Sequence, residues 1–211
     1  MKNAGKHAEE LRSVFKKLQK DHDVPDYKPV DPLRALVLGS MSYDVSDTRA
    51  NEAIKAIEQE FVDLNELRVA TELEVQELLG AKYPEIEKRV EMITQALNRI
   101  FEREHTLSLE RLRTISRRDA RQFLRELPAL HPFVEAFVML MSFEGHAIPV
   151  DDTMLGWLRD KEIAGEDATL DEVQRFLEHQ LKAEECFSFF TLARRASQHS
   201  GSDGEARKKK K

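Results

Sequence analysis

Leu127 to Thr153 reads LPALHPFVEAFVMLMSFEGHAIPVDDT. Two prolines bracket a turn, Pro128-Ala129-Leu130-His131-Pro132, that separates two helices. From about 133 to 142 the chain is apolar nearly all round, with Phe133, Val134, Phe137, Val138, Leu140 and Met141. A helix without a polar face is central to its domain. After a short loop Asp151 stands where an N-cap belongs, opening a helix that carries Trp157 and Leu158.

Outward from this stretch the chain is a succession of helical stripes and caps. Leu11, Val14, Phe15 and Leu18 fall at i, i+3, i+4 and i+7 and predict a first helix over roughly 7–20. Asp31-Pro32 starts a second helix, which Gly39 and Ser40 should end. Ser46 or Asp47 caps the next, with Ala50, Ala53, Ile54, Ile57 and Phe61 on one side. Thr71/Glu74 and Thr169/Glu172 have capping-box spacing, and Gly80 suits a helix C-terminus. Ile86, Val90, Ile93, Leu97, Ile100 and Phe101 repeat at steps of four and three, as a coiled-coil seam or, over so short a run, as packing inside one domain. Ser108 and Ser116 read as two further caps, the second leading Phe123, Leu124 and Leu127 inward. A last helix is expected over 183–196, and no strand pattern or internal repeat emerges.

Composition agrees with an all-α chain. Among 211 residues there are 8 Gly, 7 Pro and 34% charged side chains, which disfavours a β sandwich. The single cysteine, Cys186, excludes an internal disulfide framework. No secretory signal or long apolar run is evident, so the expectation is a soluble, cytoplasmic protein with no membrane contact. A net charge of −6 argues against a general nucleic-acid coat protein, but phosphates respond to the nearby patch. Residues 111–125 hold six arginines against Asp119 alone, a net of +5, whereas 57–78 hold seven acids against Arg68 alone, a net of −6. Two readings stand: one anion-facing side, or two solvated helix faces of opposite sign.

The quoted stretch resembles the core of the helix-hairpin-helix (HhH-GPD) DNA glycosylase superfamily, in particular its endonuclease III branch. There L-P-G-[VI]-G-x-[KS] precedes an apolar helix and V-D-[TS]. Leu127-Pro128 matches the start and Val150-Asp151 the end, and Phe133 and Asp151 stand eighteen positions apart, the family's spacing from catalytic Lys to catalytic Asp. Both hairpin glycines are replaced, by Ala129 and His131, and the lysine position holds Phe133. The resemblance spans roughly 31–198 and implies two helical lobes: 33–147 as a six-helix barrel, and 1–32 with 148–198 as the other, followed by a disordered basic tail over 199–211. DNA would cross between the lobes, at Asp151.

The resemblance assigns roles. The hairpin would hold a DNA phosphate on backbone N–H groups of Ala129, Leu130 and His131, although Pro132 offers no N–H and Ala129 and His131 should resist positive φ. An ordinary helix–helix turn is the competing reading. Asp151 would stabilise the oxocarbenium character of a sugar losing its base, and also cap its helix; Asp151→Asn should keep the cap and remove the charge. Phe133 has no nucleophile, so a Schiff-base lyase step is not expected. Leu36 to Arg49, LVLGSMSYDVSDTR, resembles a second family segment in which Asp44 matches and Met41 replaces a glutamine that enters the duplex. Met41 is then a DNA wedge or a core methionine. Arg121 and Arg125, one turn apart, are the candidate phosphate cations. The C-terminal Glu185–Arg195 resembles the helix before the family's four-cysteine iron–sulfur loop; with one cysteine, no cluster, cofactor or metal is expected. The implied function is an atypical monofunctional DNA glycosylase of base-excision repair, a monomer holding double-stranded DNA weakly and in a salt-sensitive way. The alternative is a catalytically silent relative that binds DNA or a protein.

Overall fold

The computed structural model describes residues 3–80 and 82–208, with side chains through His199. Among these there are eleven α-helices, one 3-10 turn and no strand. The chain divides into two compact units, residues 29–145 and residues 1–28 with 146–211.

The first helix of the chain, α1 (Ala4–Asp21), belongs to the split unit; unit 29–145 begins with α2 (Pro32–Ser42), where Asp31 caps by accepting from the Arg34 N–H. Contrary to expectation α2 does not stop at Gly39. A Cβ there would lie 3.1 Å from the Phe137 ring, so the glycine lets a neighbouring helix come close instead of ending its own. Ser40 is likewise mid-helix, its hydroxyl donating to the Leu36 carbonyl. Then come α3 (Asp47–Glu60), capped by Ser46, α4 (Leu64–Val69), capped by Asp63, and α5 (Glu72–Leu79), opened by the Thr71/Glu74 capping box. The short α4 is not foreshadowed by periodicity, because Leu67 is its one buried residue.

Next, α6 (Ile86–Glu104) buries Ile86, Val90, Ile93, Leu97 and Ile100, but Phe101 turns outward beneath the Arg68 guanidinium, 4.2 Å from the ring centroid. A 3-10 turn (Glu110–Arg113) follows, whose Glu110 N–H donates to Ser108 Oγ, and then α7 (Arg117–Arg125), capped by Ser116. The unit's last helix, α8 (Pro132–Phe143), is buried along nearly its whole length against α2. Its all-round apolar sequence thus marks the centre of the unit.

In the split unit, α9 (Asp152–Asp160), α10 (Leu170–Gln180) and α11 (Ala183–Lys208) join α1. α11 packs on α9 and on α1, where Phe15 meets Phe189 edge to face at 5.4 Å. The Thr169/Glu172 capping box opens α10. His7 Nδ1 donates to the Glu162 carbonyl at 2.6 Å, tying α1 to the turn after α9. Of the expected tail over 199–211, residues 209–211 lie outside the described residues, and the backbone of α11 runs to Lys208. No helix among the described residues is long and apolar enough to cross a membrane.

Candidate functional site

The turn between α7 and α8 takes its shape from two substituted positions. Ala129 adopts φ 54°, the left-handed conformation that a glycine accepts without strain, so the expected resistance is overcome there rather than avoided. His131 needs no positive φ: it is the N-cap of α8 at φ −67°, ψ 140°, and its Nδ1 accepts the Phe133 N–H at 3.1 Å. The Leu130 N–H donates to the Leu127 carbonyl at 3.4 Å, and Pro132 has none to give. Three of the amides around the start of α8 are therefore spent or missing. An alanine in the left-handed region costs about 1–2 kcal/mol, part of which is offset by glycine's freer unfolded state. Ala129→Gly is therefore expected to stabilise the protein by on the order of 1 kcal/mol, read as a higher denaturant midpoint at unchanged m.

A cluster of rings locks this turn to the end of α2. Tyr43 lies 4.1 Å from the His131 ring centroid and 5.6 Å from that of Phe133, which in turn stacks on Phe137 at 5.9 Å. Behind them Arg89 is buried, donating to the carbonyls of Pro84, Ser40 and Tyr43. Burial pushes its guanidinium below the usual range, opposed by the charges around it. Beside the rings opens a surface cavity of about 290 Å³, lined by Tyr43, Glu85, Lys88, Met92, Ala129 and His131. Lys88 pairs with Glu85 at its edge, 2.6 Å away. Sequence reading missed Tyr43 and Arg89, whose roles depend on neighbours far along the chain.

Arg121 and Arg125 are brought together, but on a carboxylate. Arg121 Nε donates to Glu135 Oε1 at 2.6 Å and Arg125 Nε to Glu135 Oε2 at 3.3 Å. Glu135 is the one acid within α8 and is almost fully buried. Burial pushes its carboxyl up, against the pull of Arg121 and then Arg125. Among the other arginines of the run, Arg111 forms a bidentate pair with Glu104, and Arg113 pairs with Glu110 and donates to the Ser142 carbonyl. The net +5 counted along 111–125 is thus diluted by acids lying outside that window. A lone glutamate in an apolar helix was the available signal for these partners.

Met41 is fully buried in α2, and its carbonyl accepts from the Tyr83 hydroxyl at 2.8 Å. Of its two sequence readings, this is the core placement. Phe133 is also buried, at 1% exposure, and fills core volume where the resemblance expects an amine.

In the split unit, Asp151 is the N-cap of α9, and its Oδ1 accepts the Met154 N–H at 2.8 Å. Its Oδ2 accepts from Arg194 Nη1 of α11 at 2.9 Å, and both side chains are 4% exposed. One oxygen is thus held by a helix end and the other by a buried cation. Arg194 was not singled out from sequence, although it follows Phe190 by one helical turn on a buried stripe with Ala193 and Ser197. Cys186 is buried and its thiol is pushed up to about 12, chiefly by desolvation, so it behaves as an apolar side chain. Among the described residues no group of three or more His, Cys, Asp or Glu is placed to hold a metal ion.

No family model matches the sequence, and no curated protein matches it either. Solved structures do. The 8-oxoguanine glycosylase/lyase of Clostridium acetobutylicum in complex with double-stranded DNA superposes with a TM-score of 0.72 at 18% identity, covering 94% of this chain and 71% of that one. A trapped endonuclease III–DNA covalent intermediate gives 0.69 at 14% identity, covering 88% and 84%. The 3-methyladenine DNA glycosylase of H. pylori bound to 1,N6-ethenoadenine gives 0.67 at 12% identity, covering 93% and 98%. All three are DNA glycosylases or their complexes, and the chain has the all-α fold of the helix-hairpin-helix (HhH-GPD) glycosylases.

Proposed function

We propose that this chain is an atypical monofunctional DNA glycosylase of base-excision repair, a monomer that uses Asp151 to assist hydrolysis of an N-glycosidic bond. The observation that carries the reading is a carboxylate kept at the N-terminus of α9, eighteen positions after a buried Phe133. Double-stranded DNA would be held by the Ala129–His131 turn, Arg121 and Arg125. Binding would be weak, because Pro132 and His131 leave fewer amides for a phosphate, and salt-sensitive, because what remains is charge. The damaged nucleoside would lose its base as the C1′–N bond breaks. The bonding pair leaves with the base, the carboxylate charge favours the oxocarbenium ion, and water adds its oxygen at C1′ while the proton it loses goes to the departing base. No cofactor enters.

Glycosylase assays on a panel of lesion-bearing duplexes, with alkali treatment to reveal abasic sites, test this. Excision of at least one lesion is expected, and activity on none would overturn the reading. A lyase step needs an amine. Borohydride treatment with an abasic duplex is therefore expected to trap no covalent complex at position 133. A trapped complex mapping to any lysine would show that the chain has found another nucleophile.

The Arg194–Asp151 pair favours a second reading. A carboxylate neutralised by a buried guanidinium offers little net charge to a cationic sugar. In that case the chain is a silent relative that binds DNA or protein, and Asp151 is a cap alone. Duplex binding without excision of any lesion would select it.

A further inference from the structure

All four large hydrophobic side chains that stand exposed among the described residues lie on or beside α4 and α5. Val62 is 92% exposed, Val69 66%, Leu73 62%, and Phe101, reached from α4 by Arg68, 38%. Both helices are thinly attached: α4 buries Leu67 and α5 buries Val75, each alone. Of their remaining apolar residues Leu64, Leu78 and Leu79 are half-buried, while Val69 and Leu73 face solvent, as they would on a binding surface. Between the ends of α2, α3 and α4 there is also a cleft of about 400 Å³, with Ile57, Phe61, Val62 and Leu64 in its wall and Asp31, Arg34, Glu58 and Asp63 around it. The surrounding charge is mostly negative: Arg34 at the cleft is paired with Glu58 at 2.6 Å, which leaves Asp31 and Asp63 beside it in excess. All seven carboxylates of residues 57–78 are exposed, and the single cation, Arg68, is half-buried and occupied by Asn98 and the Phe101 ring.

We propose that the α4–α5 face docks a lysine- or arginine-rich amphipathic helix of a partner protein. The helix would set its apolar stripe on Val62, Val69 and Leu73 and its cations against the carboxylates. Charge complementarity selects this occupant. Nucleic acid and anionic lipid are repelled by a net −6. A second copy is a poor fit, because its arginine-rich α7 already holds Glu135 and buries its own apolar residues, Phe123 and Leu124. The chain's own Arg207–Lys211 is cationic but has no apolar side chain to anchor. A basic amphipathic helix supplies both components at once, as helix-in-groove recognition requires.

The full chain would be titrated by fluorescence anisotropy with a labelled lysine–leucine peptide of about 18 residues, leucines at i, i+3, i+4 and i+7. Its scrambled isomer, equal in charge but without a stripe, is the comparison. The striped peptide should bind saturably and at least about ten-fold more tightly than the scrambled one. Val62→Ser/Leu73→Ser, and separately Glu60→Gln/Glu72→Gln/Glu77→Gln, should each weaken it by a similar factor, while Arg125→Gln on α7 should leave it unchanged. Equal binding of both peptides, or wild-type affinity in the Val62→Ser/Leu73→Ser variant, would overturn the proposal. So would sedimentation showing self-association that this double substitution abolishes, since the occupant would then be a second copy.

Discussion

Replacing Arg194 with Met is expected to cost about 3–5 kcal/mol of stability, because it leaves the Asp151 carboxylate buried without its counter-charge. For a chain of this size that is a Tm drop on the order of 10 °C. Both side chains are 4% exposed and 2.9 Å apart, so water cannot readily replace the lost partner. Asp151→Asn does the mirror-image damage. It keeps an acceptor for the Met154 N–H, as a good capping residue should, but it strands the guanidinium. The substitution that looked fold-neutral on sequence grounds is therefore confounded by a contact the sequence did not reveal. The combined variant Asp151→Asn/Arg194→Met removes both charges, keeps the cap, and should recover most of the loss. A double-mutant cycle should then return a coupling of about 2 kcal/mol or more. If the two single losses simply add, the ion pair is not what holds α9 to α11. The same double variant is the better probe of chemistry. If it folds and has lost excision by on the order of 100-fold, Asp151 is catalytic. If it folds and excises as wild type does, the carboxylate is structural.

What was legible in the sequence was local. Asp31-Pro32, Ser46, Thr71/Glu74, Ser116 and Thr169/Glu172 all act on N–H groups within a few residues, and each caps its helix as read. The apolar run 133–142 marked the central helix for the same reason: no arrangement of its neighbours could leave it exposed. Contacts across the chain were not legible. Arg121 and Arg125 read as free surface cations because Glu135 lies 14 and 10 positions away on another helix. Asp151 and Arg194 are 43 positions apart. Gly39 read as a stop signal, since nothing in the sequence of α2 shows that a phenylalanine ring needs the space. Phe101 read as core because its period is right, and only its position at the end of the stripe turns it outward. His131 reads as a lost glycine whose ring could compensate in part; the partner that ring takes, the Phe133 N–H at the start of α8, is given only by the structure.

Glu135→Gln is expected to tighten duplex binding, which is the opposite of what altering a residue beside a DNA-binding turn usually does. The carboxylate holds Arg121 and Arg125 together and cancels their charge at short range. An amide still accepts a hydrogen bond but withdraws the neutralisation, so both guanidinium groups can answer to phosphate. If both do, the slope of log K against log salt should steepen by up to about 1.8. Affinity in dilute salt should then rise by roughly ten-fold. Arg125→Gln should move both quantities the other way. Stability gives an independent control. Because burial raises the Glu135 carboxyl, the native state keeps that proton more tightly than the unfolded chain does. Its contribution to stability should therefore fall as pH climbs from the ordinary carboxylate range through the raised value, and the Gln variant should lack that slope. A variant that loses the pH dependence yet binds duplex with an unchanged salt slope would show that Arg121 and Arg125 serve the packing of α7 on α8 and do not face DNA. One that gains affinity would make Glu135 the residue that keeps this turn's grip on DNA weak.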